Sequence, residues 1–173
     1  MQQKLYCYYC GHTLQQKMWE GRVRSFCSQC RIPIYENPVP ATAVVVVDHF
    51  GQLLLVKRNV APKQGYWALP GGFMELLETP ETCALRELQE ETGLRGTIDR
   101  LLGVVANNSD VYGTVLIVGY LITAHEGELL PGDDASDVAF FPSDELPEIA
   151  FTSHSRFING AFASQKLYLK TED

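Results

Sequence analysis

No stretch of this chain reaches the roughly 18 consecutive apolar residues that a bilayer-spanning helix needs. Its start, Met1-Gln2-Gln3-Lys4-Leu5-Tyr6-Cys7, lacks the apolar core of a secretory signal. The expectation is a cytoplasmic protein without a membrane partner. Internal repeats and low-complexity tracts are also absent. Basic residues are scarce beyond the first 37: that part carries a net charge of −10, whereas residues 1–37 carry +3. Such an imbalance argues against a general polyanion-binding surface on the main domain, so nucleic acid is not an expected partner. What the chain does have is apolar material. At 173 residues and 46% apolar content it suits one packed domain plus a small appendage.

The densest chemical information lies in Gly72–Leu94, which places Glu78, Arg86-Glu87 and Glu90-Glu91 at fixed offsets. Thr79 is a good N-cap, Pro80 suits the first helical position and Glu81 complements the helix dipole. Gly93 fits the residue just past a helix end. The spacing predicts a helix from about Pro80 to Thr92. At about 100° per residue, Glu87, Glu90 and Glu91 share one arc of roughly 100°. Ala84, Leu85, Leu88 and Thr92 fall on the other side and should pack on a core. Carboxylates so close repel one another unless a cation joins them. Without thiols or imidazoles, the cluster favours a hard divalent ion such as Mg²⁺ or Mn²⁺. The alternative is a solvated acidic helix face beside an arginine.

Gly72, Glu78, Arg86, Glu87, Leu88, Glu90, Glu91, Gly93 and Leu94 fit the pattern G-x5-E-x7-R-E-U-x-E-E-x-G-U, where U is a large aliphatic residue. This stretch resembles the Nudix box at every signature position. Trp67-Ala68-Leu69-Pro70-Gly71-Gly72 is similar to the strand and turn that enter the box. Phe140-Phe141-Pro142-Ser143-Asp144-Glu145-Leu146-Pro147 resembles the strand and turn that close the domain.

A second motif is Cys7-x2-Cys10 with Cys27-x2-Cys30, sixteen residues apart. This is four-thiolate zinc spacing. A lobe this small buries too little apolar surface to fold alone, so Zn²⁺ would stabilise it and leave no open position for catalysis. Disulfides are disfavoured in a cytosolic setting. A nucleic-acid-binding ribbon, using Arg22, Arg24, Arg31, Tyr8, Tyr9 and Trp19, is the less favoured role. The fifth cysteine, Cys83, lies one turn before Glu87 and reads as a small buried residue near the acidic face.

The expected domains are a zinc ribbon over 1–36 and a Nudix hydrolase domain over 37–173, with Asn37-Pro38-Val39-Pro40 as an extended linker. Ala41–Val47 reads as a strand covered on both faces, turning at Asp48–Gly51 into Gln52–Lys57 as a hairpin. Trp67–Leu69 and Phe73–Met74 read as short strands. Gly96–Asn107 and Tyr112–Ala124 form a second long hairpin. Glu126–Asp137 is an acidic loop, Val138–Phe141 a last strand, and Ser153–Lys166 a terminal helix. The order is α/β, a mixed sheet with helices on two faces, in agreement with the Nudix α/β/α sandwich.

The resemblance implies a pyrophosphohydrolase in which Glu87, Glu90 and Glu91 bind the catalytic metals, with the Gly72 carbonyl as a further ligand. It gives Arg86 the task of orienting the glutamates, with Glu78 as its partner. The general base is left among Glu91, Glu90, Glu126 and Glu128. Arg58 is a candidate phosphate contact. Tyr112, Phe151 and Tyr35 are candidates for stacking a base, and His154 for phosphate binding or proton transfer, although core or structural roles suit these four better.

A ribbon ahead of a Nudix domain resembles two groups. NADH pyrophosphatases carry an S-Q-P-W-P-F-P-x-S segment after the box, and nothing like it lies between Leu94 and Tyr120. That departure counts against NADH and NAD-capped RNA. The shorter group, linked to ADP-ribose and FAD, is similar through Tyr35-Glu36-Asn37-Pro38, Lys57-Arg58-Asn59, Gly65-Tyr66-Trp67 and Phe151-Thr152-Ser153-His154. The expected products are AMP and a phosphorylated partner. A homodimer is expected by analogy alone. A nucleotide-sensing regulator would usually lack one of the box glutamates, all of which are present.

Overall fold

The computed structural model describes residues 4–132 and 134–168, and side chains up to residue 163. Two compact units emerge, one built on residues up to Pro38 together with Asn108–Thr114, the other on Val39–Asn107 and Val115 onward. Among the described residues, no helix is long and apolar enough to cross a membrane.

The first unit holds an antiparallel sheet of β1 (Gln15–Trp19), β2 (Arg22–Cys27) and β3 (Ile32–Ile34). β1 and β2 join through Glu20 and Gly21, whose φ angles of 50° and 74° suit a two-residue turn that follows the strand twist. Its buried cluster is small: Cys7, Cys27 and Ile34, flanked by Leu14, Cys30 and Ile32.

The second unit contains β4 (Val39–Val46), β5 (Leu53–Arg58), β6 (Trp67–Ala68), α1 (Pro80–Thr92), β7 (Arg95–Ser109), β8 (Gly113–Glu126), β9 (Ala135–Phe141) and α2 (Thr152–Tyr168). The tip of the β7–β8 hairpin belongs to the first unit. The strands form two sheets, in the orders β4-β8-β7 and β6-β5-β9, with β4 parallel to β8. Residues 41–47 are all buried, because successive side chains serve opposite cores. Ala41, Ala43, Val45 and Val47 meet Phe157, Ile158 and Ala161 of α2 on one side. Val44 and Val46 meet Ala84 and Leu88 of α1 on the other. Leu53 and Leu55 divide from Leu54 and Val56 in the same way. This is the helix–sheet–helix sandwich that the strand order implies.

Three local expectations change. The β4–β5 hairpin exists only at its tip. Asp48 Oδ1 accepts from the Phe50 and Gln52 amides and Val47 bridges Leu53, after which the strands enter different sheets. The twist of two covered sheets separates the strands once the turn is made. Phe73–Met74 forms no strand; Phe73 makes an isolated bridge to Ala41. The linker 37–40 is already strand at Val39, which pairs with Val115, since β8 supplies a partner ladder.

Candidate active site

α1 begins where its caps dictate. Thr79 accepts from the Thr82 amide at 3.2 Å, Pro80 follows, and Gly93 closes the helix at φ 74°. The helix sends Cys83, Ala84, Leu88 and Thr92 into the core, and with them Glu91.

Ahead of α1, the segment from Trp67 to Phe73 stitches the two sheets together. Ala68 pairs with Val56 of β5, while the Pro70 and Gly72 carbonyls accept from the Val44 and Thr42 amides of β4, each at 2.9 Å. Any side chain on Gly71 would run into the Thr42 carbonyl, and its φ of 149° also favours glycine. A Cβ on Gly72 would lie 2.5 Å from Glu87 Oε1. Both glycines therefore let backbone approach closely, one against β4 and one against a carboxylate.

Arg86 is the hub of the charged network. Its Nε and Nη2 donate to the two oxygens of Glu78 at 2.8 and 3.0 Å, and Nη1 donates to Glu87 Oε1 and Glu90 Oε2, each at 2.8 Å. A second Nη2 bond reaches the Phe73 carbonyl at 3.2 Å. Hydrogen bonds from Arg86 hold the Glu78 carboxyl down at about 2, and those carboxylates in turn raise the Arg86 pKa. Glu78 also accepts from the Glu75 amide at 2.9 Å, which fixes the loop before α1. Cys83 is fully buried, with Thr42 Oγ1 at 3.2 Å, and burial pushes its thiol up to about 11.

Glu91 is only 8% exposed, and its Oε2 accepts from the Gly71 amide at 2.9 Å. Burial pushes its carboxyl up to about 7, against the pull of that amide. Burial also raises Glu87. With Glu90 they line a cleft of about 410 Å³ whose fourth wall is Asp134.

Asp134 is the residue that sequence reasoning missed. The loop before β9 folds onto the end of α1, where the Leu130 and Gly132 amides donate to the Thr92 and Glu91 carbonyls at 2.9 and 3.2 Å. Gly93 and Gly132 stand where a Cβ would strike the Glu128 and Glu90 carbonyls, respectively. Glycine within an acidic loop was the available signal. Asp133 lies outside the described residues. Glu126 and Glu128 are exposed and do not line the cleft.

The remaining candidates fall in three places. Arg58 donates to the Pro62 carbonyl at 2.9 Å and lies 5.2 Å over the Phe151 ring. Phe151 meets His154 edge-on at 5.1 Å, and His154 Nδ1 accepts from the Leu69 amide at 3.0 Å. Burial, reinforced by the Arg58 charge, presses His154 down to about 4, so it is neutral at neutral pH. Tyr112 and Tyr35 belong to the first unit. Tyr112 donates its amide to Ser109 Oγ, while Tyr35 donates its hydroxyl to Glu20 and carries Arg24 over its ring at 4.8 Å.

In the first unit, Cys7, Cys10, Cys27 and Cys30 bring their sulfurs within 4.8 Å of one another, with Cys7–Cys30 at 4.0 Å and Cys10–Cys27 at 3.6 Å. A tetrahedral ion with bonds of about 2.3 Å has ligand–ligand edges of about 3.8 Å. Of the cleft carboxylates, Glu87 and Glu90 are held by Arg86. Their donor set is oxygen alone, which fits a hard divalent cation.

Comparison with known proteins agrees with this geometry. The family model described as NUDIX domain matches residues 37–159. An ADP-ribose pyrophosphatase from Methanocaldococcus jannaschii is 40% identical over 121 residues, covering 69% of this chain and 71% of that protein. The NAD-capped RNA hydrolase NudC of Vibrio vulnificus is 29% identical over 148 residues, covering 85% of this chain but 54% of its own, so the chain spans about half of that relative. A crystal structure of a NUDIX hydrolase from Nitrosomonas europaea superposes with a TM-score of 0.77 at 27% identity, over 94% of this chain and 93% of that one. With the box helix, its carboxylate cleft and the sandwich around them, these matches show that the chain belongs to the NUDIX family of pyrophosphohydrolases.

Proposed function

We propose that the protein hydrolyses the pyrophosphate bond of a nucleoside diphosphate linked to a second moiety, ADP-ribose first and FAD second, giving AMP and a phosphorylated partner. The observation that carries this is the cleft where Glu87, Glu90, Glu91 and Asp134 meet. Support for the substrate comes from the relative named ADP-ribose pyrophosphatase and from the missing aromatic segment after Leu94.

Glu87, Glu90, Glu91 and Asp134 would hold Mg²⁺ or Mn²⁺, joined by the Gly72 carbonyl, whose second lone pair is left by the Thr42 amide. When bound, such a cation neutralises the diphosphate and polarises its oxygens. Arg86 keeps Glu87 and Glu90 on one side of the cleft and must share them with the ion. Among the candidates for general base, Glu91 is the cleft carboxylate that a backbone amide holds in place, and we assign it the proton of the attacking water. The Gly71 amide fixes that carboxylate, which limits its reorganisation. Arg58 neutralises phosphate charge at the edge of the site. In the first unit, Cys7, Cys10, Cys27 and Cys30 hold a structural Zn²⁺.

A panel tests the substrate: purified protein with Mg²⁺ or Mn²⁺ against ADP-ribose, FAD, NADH, diadenosine polyphosphates and NAD-capped RNA. ADP-ribose or FAD should lead. NADH or capped RNA turned over well above both would favour the NudC-like reading, and no turnover of any diphosphate would sink the enzymatic one.

A further inference from the structure

The strand-like segment Leu69–Gly72 has two edges. In an extended backbone, alternate residues point their polar groups in opposite directions. Pro70 and Gly72 turn their carbonyls to β4. Leu69 and Gly71 accordingly direct their amides the other way, where neither finds a backbone acceptor among the described residues. Two side chains take them, one from each helix layer: His154 Nδ1 of α2 accepts from Leu69 at 3.0 Å, and Glu91 Oε2 of α1 accepts from Gly71 at 2.9 Å. The acceptors sit two residues apart along one backbone edge.

We infer that His154 is a positioning residue for Glu91, acting through the Leu69–Gly71 backbone. The Leu69–His154 bond is buried and the Gly71–Glu91 bond part-buried, with His154 and Glu91 each 8% exposed. A buried amide that loses its acceptor must find another or move. Gly71 has no room for a side chain against Thr42 and Ala43, so its backbone path is set by β4 on one side and, through Leu69, by His154 on the other. The role requires a neutral imidazole with Nδ1 unprotonated, and burial favours that form. The Arg58 charge acts on both His154 and Glu91. His154 thereby has a task without touching substrate, and a buried histidine at a helix start is tied to the reaction.

The inference rests on the role given to Glu91 above, and its test separates the two. His154→Asn retains an acceptor near the Nδ1 position, His154→Gln carries it one methylene farther out, and His154→Phe removes it. The amide resonance and hydrogen exchange of Gly71 are read by NMR without substrate, and kcat and KM with Mg²⁺ and ADP-ribose. Asn should leave the Gly71 amide near its wild-type shift and kcat within about threefold, whereas Phe should deprotect Gly71 and lower kcat at least about tenfold with KM within about threefold. A folded Phe variant with an unmoved Gly71 amide and unchanged kcat overturns the inference. If Phe does not fold, Gln decides: the inference requires Gln below Asn in kcat and in Gly71 protection, and equality overturns it. If the wild-type protein shows no turnover, the function fails, while the Gly71 readout still decides the positioning.

Discussion

Gly72 and the Glu87 carboxylate occupy the same small space: a Cβ on Gly72 would come within 2.5 Å of Oε1 and 2.7 Å of Oε2. The obstacle is the mobile end of a side chain rather than backbone, so Gly72→Ala should fold, with stability changed by no more than about 1 kcal/mol. To make room, Glu87 must leave Arg86 Nη1. We expect kcat to fall by about 10- to 100-fold from that displacement. Thermal unfolding alongside steady-state kinetics checks it; a normal kcat in the folded variant would show that the position of Glu87 does not matter.

Asp134 joins the box glutamates from a loop that sequence spacing does not link to them. Asp134→Asn removes one charge from the oxygen donor set while leaving the loop's backbone bonds intact. The Mg²⁺ concentration for half-maximal activity should rise about 5- to 10-fold, with a smaller loss in kcat at saturating metal. A metal titration decides this, and an unchanged midpoint would remove Asp134 from the cation site.

Among the described residues of the first unit, only Cys7, Phe26, Cys27 and Ile34 are buried apolar residues, and two of these are cysteines. Little apolar surface is left to hold it without an ion. Stripping zinc with a chelator should therefore unfold β1–β3 while α1 keeps its protection, because α1 packs on Val44, Val46 and Tyr120 in a separate core. Hydrogen exchange before and after chelation reports both. Unchanged protection of β2 after metal loss would mean that the first unit holds its fold without zinc.

His154 gives a pH dependence with a definite sign. Free histidine takes up its proton near 6.5 and the folded one near 4, so between these values the unfolded chain binds the extra proton. The stability from a neutral His154 is fully present above about 6.5 and is lost as pH falls through about 4, a change of about 3 kcal/mol. Glu91, raised to about 7, works in the opposite direction in metal-free protein, so the wild-type profile alone hides both. The quantity to measure is the stability difference between wild type and His154→Asn, by urea unfolding from pH 7 to pH 4. It should shrink toward acid in favour of the variant; a constant difference would mean that His154 titrates normally.

How much of this was legible in the sequence depended on the range of the interactions. α1 was readable to its ends because Thr79, Pro80 and Gly93 act within a few residues of the backbone they cap. The ribbon was readable because thiolate spacing is local. The double covering of β4 showed in its unbroken β-branched run. The parting of β4 and β5 did not, since Asp48 and Gly51 specify a turn and say nothing of the sheets beyond it. Asp134 was hidden for a related reason: its place depends on Gly93 and Gly132 allowing one loop to lie on the end of α1. Glu126 and Glu128 looked equally suitable by composition and lie exposed. His154 was readable as a structural histidine, but its partner, Leu69, is 85 residues away.

If the carboxylate cleft binds the divalent cation on which diphosphate cleavage depends, ADP-ribose hydrolysis must follow the Mg²⁺ concentration. The decisive experiment is that titration in wild type, Glu90→Gln and Glu91→Gln, with chelated controls. Turnover should vanish in chelator and recover with Mg²⁺ or Mn²⁺, and kcat should be at least about 10²-fold lower in each variant. Near-normal kcat in both variants, or undiminished turnover in chelator, would contradict cation binding by the cleft.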